Sequence, residues 1–169
     1  MSDVREMLVA EIAVPAGPVD VPAALAAIEI GGKPGFVSVD LPDWDRFAPI
    51  DGLDVPGGAY RLVGVERGDT YLNWSPDEAL PEIAKRGRTP LTIAEGVALL
   101  TARPDLLEPN KCFMLLGSRC GDKRVPALWI SSGTGKDGRE RKGAAKLGWC
   151  WAGNRHTWLG HASASARVA

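Results

Sequence analysis

Apolar residues in this chain fall mostly into short runs, parted by glycine, proline and charged clusters. Met7–Val14 (MLVAEIAV) is a β-rich run closed by Pro15 and by Gly17–Pro18, and it predicts a first strand. Val21–Ala27 is rich in alanine, tolerates Pro22 in a first turn, and predicts a short helix. GGKPG breaks the chain, and Phe36–Val39 predicts another strand. The Asp-, Pro- and Gly-rich stretch that follows predicts a loop with at most one helical turn, at Asp43–Phe47. Tyr60–Glu66 and Thr70–Trp74 flank a turn at Arg67–Asp69 and predict a hairpin.

The period changes in the middle of the chain. Ser75 as N-cap, Pro76 at the first position, acids in the first turn and Lys85-Arg86-Gly87 at the end bound a helical segment. Pro81 inside it opposes one continuous helix, because an interior proline removes a hydrogen bond and clashes, so two short turns are the alternative. Thr92 and Glu95 have capping-box spacing ahead of an apolar face formed by Ile93, Val97 and Leu100, and Pro104 closes that helix. Four apolar-aromatic runs then follow: KCFMLLGS, VPALWISS, KLGWCWAG and HTWLGHAS. Separated by turn sequences, they predict an antiparallel meander. The expected fold is α+β. A C-terminal antiparallel sheet of about four strands packs on two central helices, with additional N-terminal strands. The 169 residues fit a single domain. Gly133–Ala145 (GTGKDGRERKGAA) offers no apolar anchor before Ala144 and is expected to be a mobile loop.

Composition narrows the function classes. No run of about 18 apolar residues exists, so no membrane span is expected. The opening MSDVREMLVAEIAV carries acids where a secretory leader needs a basic start. A reducing cytoplasm is therefore expected, with the three cysteines as thiols. The net charge of -1 hides an asymmetry: residues 1–60 hold three basic and ten acidic side chains, and residues 110–169 hold eleven and three. The basic third either faces an anion or folds against the acidic third. A sequence pI near 6.1 and the lack of a recognisable motif argue against nucleic acid.

KLGWCWAGNRHTWLG, Lys146–Gly160, concentrates three tryptophans, a cysteine and a histidine. As a strand, it places Leu147, Trp149 and Trp151 on one face and Lys146, Gly148 and Cys150 on the other. A two-residue turn at Gly153–Asn154 would set Trp151 opposite His156 and Cys150 opposite Thr157, an aromatic ladder with His156 at its end. Only a longer or bulged turn brings Cys150 to His156. Cys112, Cys120, Cys150, His156 and His161 are zinc-ligand types, but without ligand spacing, so no metal and no cofactor are expected. Cys120 lies in GSRCGDKR beside Arg119, Lys123 and Arg124, where cations favour a thiolate. The same turn, with Ser118, Arg119, Asp122 and Arg124, has the donors to bind phosphate or carboxylate. GTGKDGRERKG lacks the ending of a phosphate-binding loop.

GRTPLTIAEGVALLT, NKCFMLLGSRCGDKRVPALWIS and KLGWCWAGNRHTWLG together resemble a family of uncharacterised, mostly actinobacterial proteins, a domain of unknown function. The resemblance spans about residues 34–165 and implies no activity, cofactor or catalytic residue. Against the family pattern, a helical N-terminal segment is missing and the loop at Gly133–Ala145 looks inserted. The expected function is a binding module for a small anionic ligand or a protein partner, through Ser118, Arg119, Asp122, Arg124, Trp151 and Asn154. The alternative is an enzyme using Cys150 or Cys120 with His156.

Overall fold

The computed structural model describes residues 6–169. In chain order it runs β1 (Leu8–Val14), α1 (Val21–Ala26), β2 (Glu29–Ile30), β3 (Lys33–Pro34), β4 (Phe36–Val37), β5 (Ala48–Pro49) and β6 (Tyr60–Glu66). It continues with α2 (Pro76–Lys85), β7 (Thr89–Pro90), α3 (Ile93–Ala102), β8 (Cys112–Met114), β9 (Ser118–Arg119) and β10 (Arg124–Ile130). β11 (Ala145–Trp151), β12 (Leu159–His161), β13 (Ser163–Ala164) and β14 (Ala166–Val168) complete it. The class is α+β. No helix among the described residues is long and apolar enough to cross a membrane.

The helices follow their signals. Ser75 with Glu78, and Thr92 with Glu95, each form a reciprocal capping box that satisfies orphan N–H groups at the start of α2 and α3. Pro81 does not split α2. It sits on the exposed face, as does Asp77, whose carbonyl an N–H at position 81 would otherwise bond.

The first sheet is antiparallel. β6 is its centre, with β1 on one side and β13 and β14 on the other; β7 follows β13. The pleat reverses at Gly64, which takes φ +60°. Tyr60 and Leu62 point inward below it and Val65 above it, an odd step that only a flip of backbone phase allows. Its neighbours shift at the same rung: Val9 pairs with Val65 and Ile12 with Leu62, both buried, and Arg167 opposite Leu62 turns inward.

The second sheet is mixed, and here the expected meander fails. Its order is β12-β8-β10-β11-β4: β8, β10 and β11 are antiparallel, while β12 joins β8 and β4 joins β11 in parallel. β11 pairs with β10 along its whole length and with β4 at Lys146–Leu147, and the predicted hairpin between β11 and 156–158 is not formed. Trp151 lies opposite Arg124, Cys150 opposite Val125 and Trp149 opposite Pro126. The two central helices also do not share a face. Ala79 and Ile83 of α2 pack with Met114, Val125 and Ala127 on one side. On the other side, one apolar cluster runs from Ile12 and Leu62 through Val97 and Leu100 of α3 to Phe113, Leu128 and Leu147. Gly148 leaves room for the Trp129 ring, which an added Cβ would meet at 2.4 Å.

Thr70–Trp74 is not a strand. A 3-10 turn at Asp69–Tyr71 replaces it, because the Glu6 carboxylate accepts from the N–H groups of Gly68, Asp69 and Thr70, and buried Asp69 pairs with Arg67. The anchor of the 133–145 loop is polar. Asp137, 3% exposed at its side chain, accepts from Ser38 Oγ at 3.2 Å and Val39 N–H at 2.9 Å, and pairs with Lys146 at 2.5 Å.

Candidate functional site

Between the end of β1, the start of α1, the 44–58 segment and the N-terminus of α3 lies a cavity of about 570 Å³. The local sequence makes this space. Prolines and Gly17 turn the chain away after β1, and β5 ties the 44–58 segment to β9, with Ala48 opposite Arg119 and Pro49 opposite Ser118. Val19, Trp44, Phe47, Val55, Tyr60 and Ile93 supply apolar and aromatic wall, with Thr92, Ser118 and Asp45 as polar points. Ser118 Oγ accepts the Ile93 N–H at 2.9 Å and so fixes β9 to the helix.

Behind that wall, fully buried Glu95 carries a satisfied charge. Arg167 meets it through two hydrogen bonds, at 2.6 and 2.7 Å, and Tyr60 donates its hydroxyl at 2.7 Å. Arg167 also donates to Thr89 Oγ1 and the Pro90 carbonyl. Burial, followed by the bond to Glu95, raises the Tyr60 pKa. The network therefore holds Tyr60 as a fixed neutral donor and pins β14 to the start of α3.

The basic turn GSRCGDKR is arranged differently from a free anion cradle. Arg124 donates to both oxygens of Asp43, at 2.9 and 2.7 Å, and to Asp122 at 2.8 Å. Its guanidinium stacks between Phe47 and Trp149, at 5.2 and 6.0 Å from the ring centroids. The hydrogen bond from Arg124 lowers the Asp43 pKa to about 2. Arg119 donates to the Asp122 carbonyl, and Cys120 Sγ lies 3.4 Å from Arg124. Basic third and acidic third meet at this point.

In the aromatic stretch, the faces alternate as expected along β11, but the partners differ. Trp149 and Trp151 meet edge to face at 4.5 Å, and exposed Trp151 ends the strand. Cys150 lies on the opposite face, packed against the α2-side cluster. His156 stacks on Trp158 at 5.0 Å, and no hydrogen bond joins it to Cys150 among the described residues. Burial pushes the Cys150 thiol up to about 11 and Cys112 to about 12, opposite to the depression an activated nucleophile needs. Asn154 closes the turn through its N–H to the Trp151 carbonyl, and Arg155 pairs with Glu78 of α2. No group of three His, Cys, Asp or Glu able to hold a metal occurs among the described residues.

Of the candidate residues, only Ser118 lines the large cavity. Trp44, Phe47 and Tyr60 carry no site signal in the sequence, because they lie in loop-like sequence or on an ordinary strand. The capping box at Thr92 was the one signal pointing to this wall. The chain belongs to a family of unknown function (DUF5701), whose model matches residues 3–169 and so takes in β1 as well as the stretch from residue 34 to 165. No curated protein and no solved structure matches the chain.

Proposed function

We propose, since the family carries no activity to inherit, that this chain is a binding module for a small ligand with an apolar body and a polar or anionic head. The observation that carries this reading is the cavity of about 570 Å³ with aromatic walls. Its size and lining are those of a small-molecule site, in which apolar area supplies affinity and a few polar points set orientation. The walls are held by groups that are already satisfied, so the site is preformed and a ligand need not order it. The head lies toward Thr92 and Ser118, and the body against Trp44, Phe47 and Val55. The turn at Ser118–Arg124 contributes through Ser118, while Arg124 braces Phe47 from behind.

Anilinonaphthalene sulfonate, an apolar body with an anionic head, is a suitable probe. Saturable one-to-one binding with a blue-shifted emission is expected, with near-ultraviolet circular dichroism unchanged. Ala94→Trp, which places an indole in the cavity from the first turn of α3, should weaken that binding about tenfold, or 1.4 kcal/mol. Equal binding by the wild type and a folded Ala94→Trp variant would place the probe elsewhere and refute the assignment.

A further inference from the structure

Most arginines in the molecule are held by carboxylates, Arg67, Arg88, Arg124 and Arg167 among them. Lys33, Lys136, Arg139, Arg141 and Lys142 are different. They gather at the 133–143 loop, and none forms an ion pair among the described residues. Of the two acids in the loop, Asp137 is committed to Lys146, which leaves Glu140 as the only free one. The cations are nevertheless held in place. Asp137 anchors the loop from inside, Lys33 Nζ donates to the Lys142 carbonyl at 2.7 Å, and Gly143 N–H donates to the Ser131 carbonyl at 2.8 Å. Arg141 lies over the Phe36 ring, its Cζ 4.5 Å from the centroid. Presenting charge on a fixed frame reduces the ordering cost of binding.

Beside this loop is a second, shallower cleft of about 410 Å³ between α1 and the start of β4. Pro22, Phe36, Leu41 and Trp44 line it, and Arg141 stands at its rim. It holds one bulky apolar side chain rather than a row of bases. Asp43 lies within the Leu41–Trp44 segment that lines it and is committed to Arg124, and Asp40 and Asp45 flank that segment, so a partner's carboxylates meet cations only on the loop side of the cleft.

From this charge complementarity we propose that the face is a docking site for a short acidic segment of a partner protein. One large apolar side chain of the segment enters the cleft, and Asp or Glu residues on either side meet Lys136, Arg139, Arg141 and Lys142. The carboxylates pair with guanidinium edges, and the apolar anchor supplies the contact that selects one segment from other acidic ones. This site does not depend on the ligand cavity; the two clefts share only Trp44.

The test is a selection of random dodecapeptides on the immobilised full chain, followed by anisotropy with the fluorescein-labelled winner. Enrichment of peptides with several acids around a Leu, Phe or Trp is expected. Arg139→Glu with Lys142→Glu should weaken the winner about tenfold or more while leaving the melting temperature unchanged, because both side chains are exposed. Lys136→Glu, at the other end of the loop, is the independent variant and should weaken it in the same direction. The proposal fails if no acidic peptide is enriched, or if folded charge-reversal variants bind as the wild type does. It also fails if oligodeoxythymidylate binds more tightly at the same residues. Sedimentation showing self-association that Arg139→Glu and Lys142→Glu abolish would assign the face to a second copy and overturn it as well.

Discussion

Replacing Asp137 by alanine tests whether a polar residue can hold a loop that has no apolar anchor. The carboxylate is 3% exposed and Lys146, its partner, 15%. The substitution removes that pair at 2.5 Å, two contacts from Ser38 Oγ at 3.2 Å, and the bond from Val39 N–H at 2.9 Å. Removing one partner of a buried pair costs about 3–5 kcal/mol. Lys146 keeps some contact with solvent and stacks on Trp129 at 5.0 Å, so the low end, about 3 kcal/mol, applies. In a chain of this length, that lowers the melting temperature by roughly 6–12 °C. Thermal circular dichroism reads the shift, with Glu140→Ala, exposed and unpaired, as the control expected to melt as the wild type does. Limited trypsin digestion reads the loop itself: Arg139, Arg141 and Lys142 should be cut faster in the variant. Adding Lys146→Ala should recover part of the loss, because the orphaned ammonium is removed too. If Asp137→Ala melts within about 2 °C of the wild type and resists trypsin equally, the anchor contributes less than about 1 kcal/mol and the reasoning is wrong.

Two further outcomes follow from buried charge. Arg124→Ala leaves Asp43 and Asp122 without their partner and removes the plate between Phe47 and Trp149, so the urea midpoint should fall. A variant as stable as the wild type that instead loses phosphate binding would show that this guanidinium serves an anion. His161 is 1% exposed, bonded through Nε2 to the Trp74 carbonyl with Nδ1 unpartnered, and burial pushes its pKa down to about 4. The unfolded chain takes up this proton below about 6.5 while the folded chain refuses it until about 4, so stability is lost as pH falls through that window, by about 3 kcal/mol in total. Urea midpoints at pH 7 and pH 4.5 should differ more for the wild type than for His161→Phe; equal differences would show that His161 does not resist protonation.

What the sequence reveals about this molecule is mostly local. Both helix starts could be read because a capping box is set by residues three apart, and β1, β6, β10 and β11 by their own apolar runs. Strand pairing was much less legible. KLGWCWAG and HTWLGHAS are neighbours in sequence and invite a hairpin, yet β11 takes β10 and the distant β4, while β12 crosses to the far edge beside β8. Nothing in the alternation of side chains selects between those partners. The aromatic residues of Lys146–Gly160 divide accordingly. Trp149 faces the large core and Trp151 the surface, while His156 and Trp158 stack in the following turn.

The wall of the cavity shows why a site can escape such a reading even when each of its residues is in plain view. Glu95 carries the capping signal, but an ordinary capping glutamate is solvated, and this one is fully buried. Its tolerance for burial comes from Arg167, which lies 72 positions further along the chain. In RVA, Arg167 should point outward if the buried phase set by Ala164 simply continued, since the two are an odd number of residues apart. It points inward because the pleat flips where Ser165 meets Gly64, whose positive φ no ordinary side chain adopts cheaply. A single glycine in β6 thus decides which side of β14 faces the core. It brings the arginine to Glu95, and with it fixes Tyr60 and the first turn of α3 around the cavity. The same flip puts Ser165 within 3.0 Å, at both Oγ and Cβ, of where a Gly64 side chain would begin, so an alanine there must displace Ser165 as well as hold a positive φ.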